Sequence, residues 1–463
     1  LAKTGATRHL HANLLRPLIA RVNTTCALFS EADSDFGEIP TLPTEPDVVP
    51  TSRVSDRIDP SIVSHLTDSE KTQLLKLLKL LDEFSDCFSE QRLGRTSLLE
   101  HEINVRPGFK PRLSKAYTIP EILLPAVKRQ LYNLMDEGVI RFSKSCQTSP
   151  LVVVVKRKDP TSEGPPDVRL CCDYRYVNEF IVRDPMTSHD VTEAKLKASR
   201  GRFISVFDVK SAFHQIPIRE SDRWLTAVVT PIGVVEFCCV SMGMLNSGRE
   251  WTRLIERVLT TISDFTVPYV DDVCVITETS FGEHLDHIRQ FLTEIRKAGI
   301  TLNLKKCTFA KPEVVFVGHV VGSGSHRPDE SRIEALKNLP RPKTKKQLRS
   351  VIGSFSFFRS YVPKLADIAK CLTDLTAKRM PNVLRWGEKE QIAFDALKEA
   401  LCNVHCMHSP VIGRDFVLRC DSSDYAVGAC LFQLDEENRE LPIAYASQKL
   451  TEVQQRWAVI HRE

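Results

Sequence analysis

The chain has no C-x-x-C pair, no large excess of either charge, and no apolar run near the roughly 20 residues that cross a bilayer. Nothing at its N-terminus reads as a secretory signal, and there is no Asp-Thr-Gly or Asp-Ser-Gly of an aspartic protease. A membrane partner is therefore not expected. The formal charge of +4 does not by itself argue for nucleic acid. Fourteen cysteines are present, scattered or doubled in apolar runs such as Cys171-Cys172 and Cys238-Cys239. That usage fits buried reduced thiols of an intracellular protein better than a disulfide framework. Cys402, His405, Cys406 and His408 crowd within seven residues, but their spacing is wrong for a zinc finger and no second half follows.

What is present is an ordinary globular composition, 42% hydrophobic and 26% charged, over 463 residues, enough for several domains. The chain opens on Leu1 rather than Met and reads as a piece of a longer polyprotein. Residues 1–65 are rich in Pro, Ser, Thr, Asp and Glu and predict a disordered tail. Leucines at helical spacing between Ser69 and Phe88 predict a packing helix, and a second runs from Leu124 to Glu137, ended by Gly138. Ser149 to Val155 reads as a buried strand, with Val168 to Asp173 as its partner. From Phe203 to Val275 strands alternate with one helix, Gly248 to Thr261. A further helix spans 281–298, residues 329–402 are helical, and a β-rich unit opens at Phe416, with a helix from Thr451. The mixture predicts an α+β fold with boundaries near 95, 325 and 410.

The most informative stretch is Tyr269-Val270-Asp271-Asp272, two adjacent acids in a turn between apolar strands. Alone it is no more than a hairpin turn. Asp208, at the end of the apolar run from Phe203 to Phe207, supplies a third strand-end carboxylate. Acids converging from neighbouring strands can hold two divalent cations, and paired cations catalyse in-line phosphoryl transfer. Lys156, Arg157 and Lys158 on a turn, with Arg169 on the returning strand, offer charge to a triphosphate. Phe213 lies close enough to Asp208 to sit beneath the sugar of a nucleotide, and Gly243 lets the backbone approach a ligand. Between Arg327 and Arg349, eight basic residues stand against three acids, a patch that could neutralise phosphates.

In order, Val168-Arg169-Leu170-Cys171-Cys172-Asp173-Tyr174-Arg175, Phe207-Asp208-Val209-Lys210-Ser211-Ala212-Phe213, Tyr269-Val270-Asp271-Asp272 and Val317-Gly318-His319 resemble reverse transcriptases. More narrowly, residues 98–463 resemble the Pol polyprotein of gypsy-type long-terminal-repeat retrotransposons. The resemblance implies a right-hand polymerase of fingers, palm and thumb with a truncated ribonuclease-H-like α/β domain. Its expected parts are an N-terminal linker with one helix (1–95), fingers and palm (96–325), thumb and connection (326–410) and the start of ribonuclease H (411–463). It implies an RNA-directed DNA polymerase using two Mg²⁺ ions, or Mn²⁺, on Asp208, Asp271 and Asp272. Its partners would be an RNA template, a DNA primer or duplex and deoxynucleoside triphosphates. Lys156, Arg157, Lys158 and Arg169 would hold the triphosphate and Phe213 would gate the sugar. Met242 and Gly243 would touch nucleotide and template, and Gly318 and His319 would form the primer grip.

Ser241-Met242-Gly243-Met244 and Asn246-Ser247-Gly248 depart from the family's usual Pro-Phe-Gly-Leu and Asn-Ala-Pro. A catalytically impaired element remnant that still binds nucleic acid is therefore the second reading. For ribonuclease H, Asp421 and Glu463 match two of the four acids, so that part is expected to be neither active nor stably folded. The resemblance implies an intracellular setting, a cytoplasmic virus-like particle with a nuclear phase, and leaves oligomeric state open.

Overall fold

The computed structural model of the protein describes residues 53–57, 68–89, 92–155, 167–185, 190–404 and 406–457. The Lys156-Arg157-Lys158 turn, Glu463, His405 and residues 1–52 lie outside them. The chain divides into two compact units, Leu1–Thr51 and Ser52–Glu463, and every described element belongs to the second.

Residues 53–57, expected as tail, carry a short helix α1 (Val54–Arg57) with Val54 fully buried. Ser55 donates its backbone N–H and its hydroxyl to the two oxygens of Asp82, each at 2.9 Å. Asp82 belongs to α2 (Asp68–Glu83), the predicted leucine helix, whose Leu77, Leu80 and Leu81 enter the main core. As expected of a packing helix, it packs on α7 (Phe281–Lys297), where Arg289 pairs with Glu83 at 2.7 Å.

A five-stranded sheet follows, in the order β1 (Ile140–Phe142), β6 (Gly233–Phe237), β5 (Val228–Thr230), β2 (Ser149–Val155), β3 (Val168–Cys172). Only the β2–β5 pair is parallel. The helix α3 (Leu124–Asp136) packs on β1 and β3, with Ala126, Val127 and Leu131 buried. A short α4 (Arg175–Phe180) caps the return of β3.

The second sheet carries the acids. Its order is β7 (Thr266–Tyr269), β8 (Asp272–Thr277), β4 (Phe203–Asp208), β9 (Thr308–Lys311), all antiparallel. Strand alternation splits its side chains between two cores. Phe207, Val273 and Val275 join Trp251 of α6 (Ser247–Leu259) and Phe291 of α7, with Phe207 and Phe291 ring centroids 4.6 Å apart. Ile204, Val206, Cys274 and Ile276 meet Ala194 and Ala198 of α5 (Val191–Ser199) on the other face. Both faces are buried, so neither the sheet nor its strand ends can shift without disturbing a core.

The third sheet, β10 (Val314–Phe316), β11 (His319–Gly322), β12 (Ser325–Pro328), β13 (Met407–His408), is antiparallel throughout. Its first turn, Val317-Gly318, has positive φ at both residues, 51° and 78°, the backbone of a tight two-residue hairpin. Residues 329–402 are largely helical as expected: α8 (Glu330–Lys337), α9 (Lys345–Ser356), α10 (Leu365–Ile368), α11 (Lys370–Asp374) and α12 (Glu388–Cys402). They share a separate core built on Leu348, Phe355, Tyr361, Phe394 and Leu397. Thr344 and Gln347 close a reciprocal cap on α9 just past the Pro340 and Pro342 break.

The last sheet corrects an expectation. Instead of an unfolded stub, β14 (Val417–Ser422), β15 (Ala426–Leu434) and β16 (Glu440–Lys449) pair along their lengths, and Ala366 of α10 donates to the Ser447 hydroxyl at 3.0 Å. The expected helix near Thr451 is only a 3-10 turn, Gln454–Arg456, within the described residues. No helix among the described residues is long and apolar enough to cross a membrane.

Because α2 is part of the main core, truncating its fully buried Leu81 should cost about 2–5 kcal/mol. Urea unfolding of Leu81→Ala measures this; an unchanged midpoint would mean a dispensable appendage.

Candidate active site

The β4–β8 register sets Asp208 directly opposite Asp272, and the β7–β8 turn places Asp271 beside them. Tyr269 pairs with Asp272 across that turn, so Val270 and Asp271 are its two central residues. Val270 holds a left-handed φ of 53°, an unfavourable conformation for a β-branched residue. Three hydrogen bonds hold the corner. The Trp251 indole N–H donates to Val270 O, Val209 N–H to Asp271 O at 2.9 Å, and Asn303 N–H to Asp208 O at 2.8 Å. Trp251 is itself fully buried, so the turn is tied to the core.

The electrostatics are those of crowded anions. Burial raises the Asp271 carboxyl above its ordinary range, and the charges of Asp208 and Asp272 raise it further. Asp272 is raised by burial and then by Asp208. Asp271 Oδ1 is buried without a hydrogen-bond partner, an acceptor that only a cation or a proton can satisfy. The nearby countercharge is Lys306, whose Nζ lies 3.1 Å from Asp208 Oδ1 and lowers both neighbours. Acceptor-only oxygens desolvated in this way suit a hard divalent cation. Among the described residues no three His, Cys, Asp or Glu side chains form a ready-made metal centre. The trio has its backbone in register, with Lys306 on one Asp208 oxygen.

A cleft of about 590 Å³ opens in front of the acids, lined in part by Asp208, Asp271, Arg169, Lys210, Met242 and Lys306. Arg169 is an exposed residue of β3, and Met242 is 42% exposed. Gly243 has φ +92°, and a Cβ there would approach Cys172 O to 3.2 Å, so the loop lies tight against β3. Phe213 is half-buried against the main core and does not line the cleft, whereas its neighbours Ser211 and His214 do. Lys210 and Lys306 escaped sequence reasoning. Lys210 had a signal, two residues after Asp208; Lys306 stands 98 residues from its partner in a lysine doublet that nothing local distinguishes.

The other assigned residues lie elsewhere. Gly318 forms the β10–β11 turn, where a Cβ would meet the Arg332 guanidinium at 2.3 Å. His319 is 3% exposed and stacks on Phe357 and Tyr361 at 5.2 and 5.5 Å, away from the acids. The 327–349 patch is not a continuous phosphate track. Lys345 is buried, with its ammonium on the Ala377 and Met380 carbonyls, and Arg327 is held by Glu313 at 2.8 Å. Asp421 is exposed on β14 and pairs with Lys364 at 2.5 Å.

Two family models match the chain: "Reverse transcriptase (RNA-dependent DNA polymerase)" over residues 155–321 and "RNase H-like domain found in reverse transcriptase" over 386–463. The first spans Arg169 and all three acids. The chain thus carries a reverse transcriptase match and a ribonuclease-H-like match in one order, and it is similar to that region of long-terminal-repeat retrotransposon Pol polyproteins. It is 29% identical over 423 residues to the retrovirus-related Pol polyprotein of the Drosophila melanogaster transposon opus, covering 89% of this chain and 42% of that relative. It is 26% identical to the Schizosaccharomyces pombe transposon Tf2-3 polyprotein, covering 84% of this chain and 29% of the relative. The chain thus spans less than half the length of these curated relatives. Solved structures share the fold. A foamy viral protease-reverse transcriptase in complex with double-stranded DNA superposes with TM-score 0.77 at 23% identity, covering 88% of this chain and 83% of that one. The same enzyme in complex with RNA/DNA hybrid gives 0.75 at 24%, covering 89% and 54%. The fold is a right-hand polymerase.

The crowded acids should weaken the metal-free reverse transcriptase fold. A carboxyl whose folded pKa is raised stabilises the fold below its unfolded pKa and loses that contribution as pH rises through the folded value. Asp271→Asn should therefore be more stable than the parent at pH 7 in a chelator. The gap should close as pH falls through the carboxylate range. Denaturant titrations at several pH values test this; a less stable variant at pH 7 would contradict it.

Proposed function

We propose that the chain is an RNA-directed DNA polymerase, joining a primer 3′-hydroxyl to the α-phosphate of a deoxynucleoside triphosphate. The observation that carries the reading is the unpartnered, buried Asp271 Oδ1 in the turn next to Asp272, which itself faces Asp208 across the β4–β8 pairing. Asp208 and Asp271 would hold two divalent cations, Mg²⁺ or Mn²⁺, with Asp272 close by. When bound, such ions lower the pKa of the attacking hydroxyl and neutralise the pyrophosphate leaving group. Lys306 must release Asp208 for those oxygens to converge.

Arg169 and Lys210, both lining the cleft, draw the triphosphate in, together with Lys156, Arg157 and Lys158. Met242 and the Gly243 backbone bear on the nucleotide and template, and Phe213, packed on the core between the cleft-lining Ser211 and His214, would gate the sugar through that turn. Template sequence is read by base pairing, so the protein needs only backbone and shape contacts. In this reading residues 96–325 act as fingers and palm and 326–410 as thumb and connection. Residues 411–463 are the start of the ribonuclease H part, in an intracellular particle with a nuclear phase. The substituted 241–248 loop keeps its bonding: Asn178 donates to Gly243 O at 2.9 Å and accepts from Leu245 N–H at 2.8 Å. An impaired remnant is accordingly the weaker reading.

Primer extension on RNA and DNA templates tests the assignment. Asp271→Asn should lower turnover at least about 100-fold, the scale at which one group stabilising transition-state charge acts. Extension equal to the parent would refute it. Phe213→Val should raise ribonucleotide incorporation; unchanged selectivity would remove Phe213 from the gate. A labelled RNA/DNA hybrid should remain intact, since Asp421 is tied to Lys364 and has no ready-made set of acids around it among the described residues. Cleavage that depends on Asp421 would overturn this.

A further inference from the structure

Tyr361 follows α9 and is 1% exposed, yet its hydroxyl has three polar neighbours from three parts of the chain. His326 Nδ1 of β12 lies at 2.8 Å, His319 Nδ1 of β11 at 3.0 Å, and Lys195 Nζ of α5 at 3.3 Å. Lys195 is itself 5% exposed, and its ammonium also stands over the Tyr361 ring. Neither histidine is charged near neutral pH. Burial, then Lys195, then Arg332 push His319 down to about 3. Burial, Lys195, His319 and His408 do the same to His326.

Counting hydrogens then decides the rings. A phenol hydroxyl has one hydrogen and two lone pairs, and an ammonium can only donate. Lys195 occupies one lone pair, leaving one hydrogen and one lone pair for two Nδ1 atoms. One imidazole must therefore accept and the other donate. His326 Nε2 is buried with no partner, and an orphaned N–H is rarer in folded proteins than an orphaned acceptor. His326 thus keeps its hydrogen on Nδ1. His319 accepts at Nδ1 and carries its hydrogen on Nε2. His319 also borders a cleft of about 720 Å³ shared with Lys195, Phe357, Arg359, Ser447 and Gln448.

We propose that Tyr361 is a positioning residue: its single hydroxyl imposes opposite tautomers on His319 and His326 and, with Lys195, fastens the base of the thumb to α5. The Val317-Gly318 turn is thereby held still, and His319 offers an Nε2–H donor to the nucleic-acid strand. This second part rests on the polymerase reading; the tautomer assignment does not.

The test uses the full chain labelled with ¹⁵N-histidine. Two-bond ¹H–¹⁵N spectra at neutral pH should show one ring protonated at Nε2 and one at Nδ1, assigned by their loss in His319→Asn and His326→Asn. The same tautomer in both rings would overturn the proposal. In Tyr361→Phe, which keeps the aromatic packing, His319 should average between tautomers. The KM for primer–template should rise about tenfold, as for loss of one buried hydrogen bond. The kcat at saturating duplex and the KM for nucleotide should stay at the parent's values. An unchanged duplex KM, or a kcat that falls in step, would overturn the positioning role. His326→Asn, whose amide can donate in place of Nδ1–H, should retain both the His319 tautomer and the parent KM; behaviour like Tyr361→Phe would count against it. If the parent extends no primer, the polymerase reading fails while the spectra still decide the tautomers.

Discussion

Everything near the centre of this molecule answers to one electrostatic constraint: Asp208, Asp271 and Asp272 must be kept close although they repel. The β4–β8 pairing fixes two of them opposite each other, and the Trp251 and Val209 hydrogen bonds hold the turn that carries the third. A sheet buried on both faces provides the stiffness. Trimming one face would free the strand ends and let the anions relax into solvent. The left-handed Val270 belongs to the same trade: local strain is tolerated where the surroundings leave the backbone no alternative.

Lys306 shows how such a site avoids collapse. A lysine that is largely exposed can stand near Asp208 at small cost and leave readily, since ion pairs in water are weak. A buried arginine fork in the same position would bind the carboxylate too firmly to give way to incoming cations. The weakness of the contact suits it to the task.

The acids were legible in the sequence because each sits where an apolar strand pattern ends, and that pattern is local. The same holds for the leucine helix, for the β2–β3 hairpin and for the helix that ends at Lys297. What was not legible depends on contacts between distant residues. Lys306 reaches Asp208 across 98 positions, and Lys195 reaches Tyr361 across 166. Nothing in a lysine's neighbours announces that its ammonium will be buried. In the basic run from Arg327 to Arg349, Arg332, Lys337, Arg341, Lys343, Lys346 and Arg349 are exposed but Lys345 is not. Lys345 faces inward at the start of α9 because the capping box fixes that helix's rotation, and its charge ends on carbonyls rather than on phosphate. Charge density along a sequence does not record which side of a helix is covered.

The two histidine-bearing strands make a related point about polarity in a core. Buried polar clusters are stable when every group finds a complementary partner, and a cluster with a single hydroxyl at its centre admits few arrangements. Replacing Tyr361 by an apolar residue would leave a buried ammonium and two imidazoles competing for nothing, whereas three apolar residues together could pack without penalty. A merely adhesive junction between β11, β12 and α5 would favour the apolar solution. The polar one fixes direction as well as distance, because hydrogen bonds set ring orientation and tautomer where packing sets only proximity.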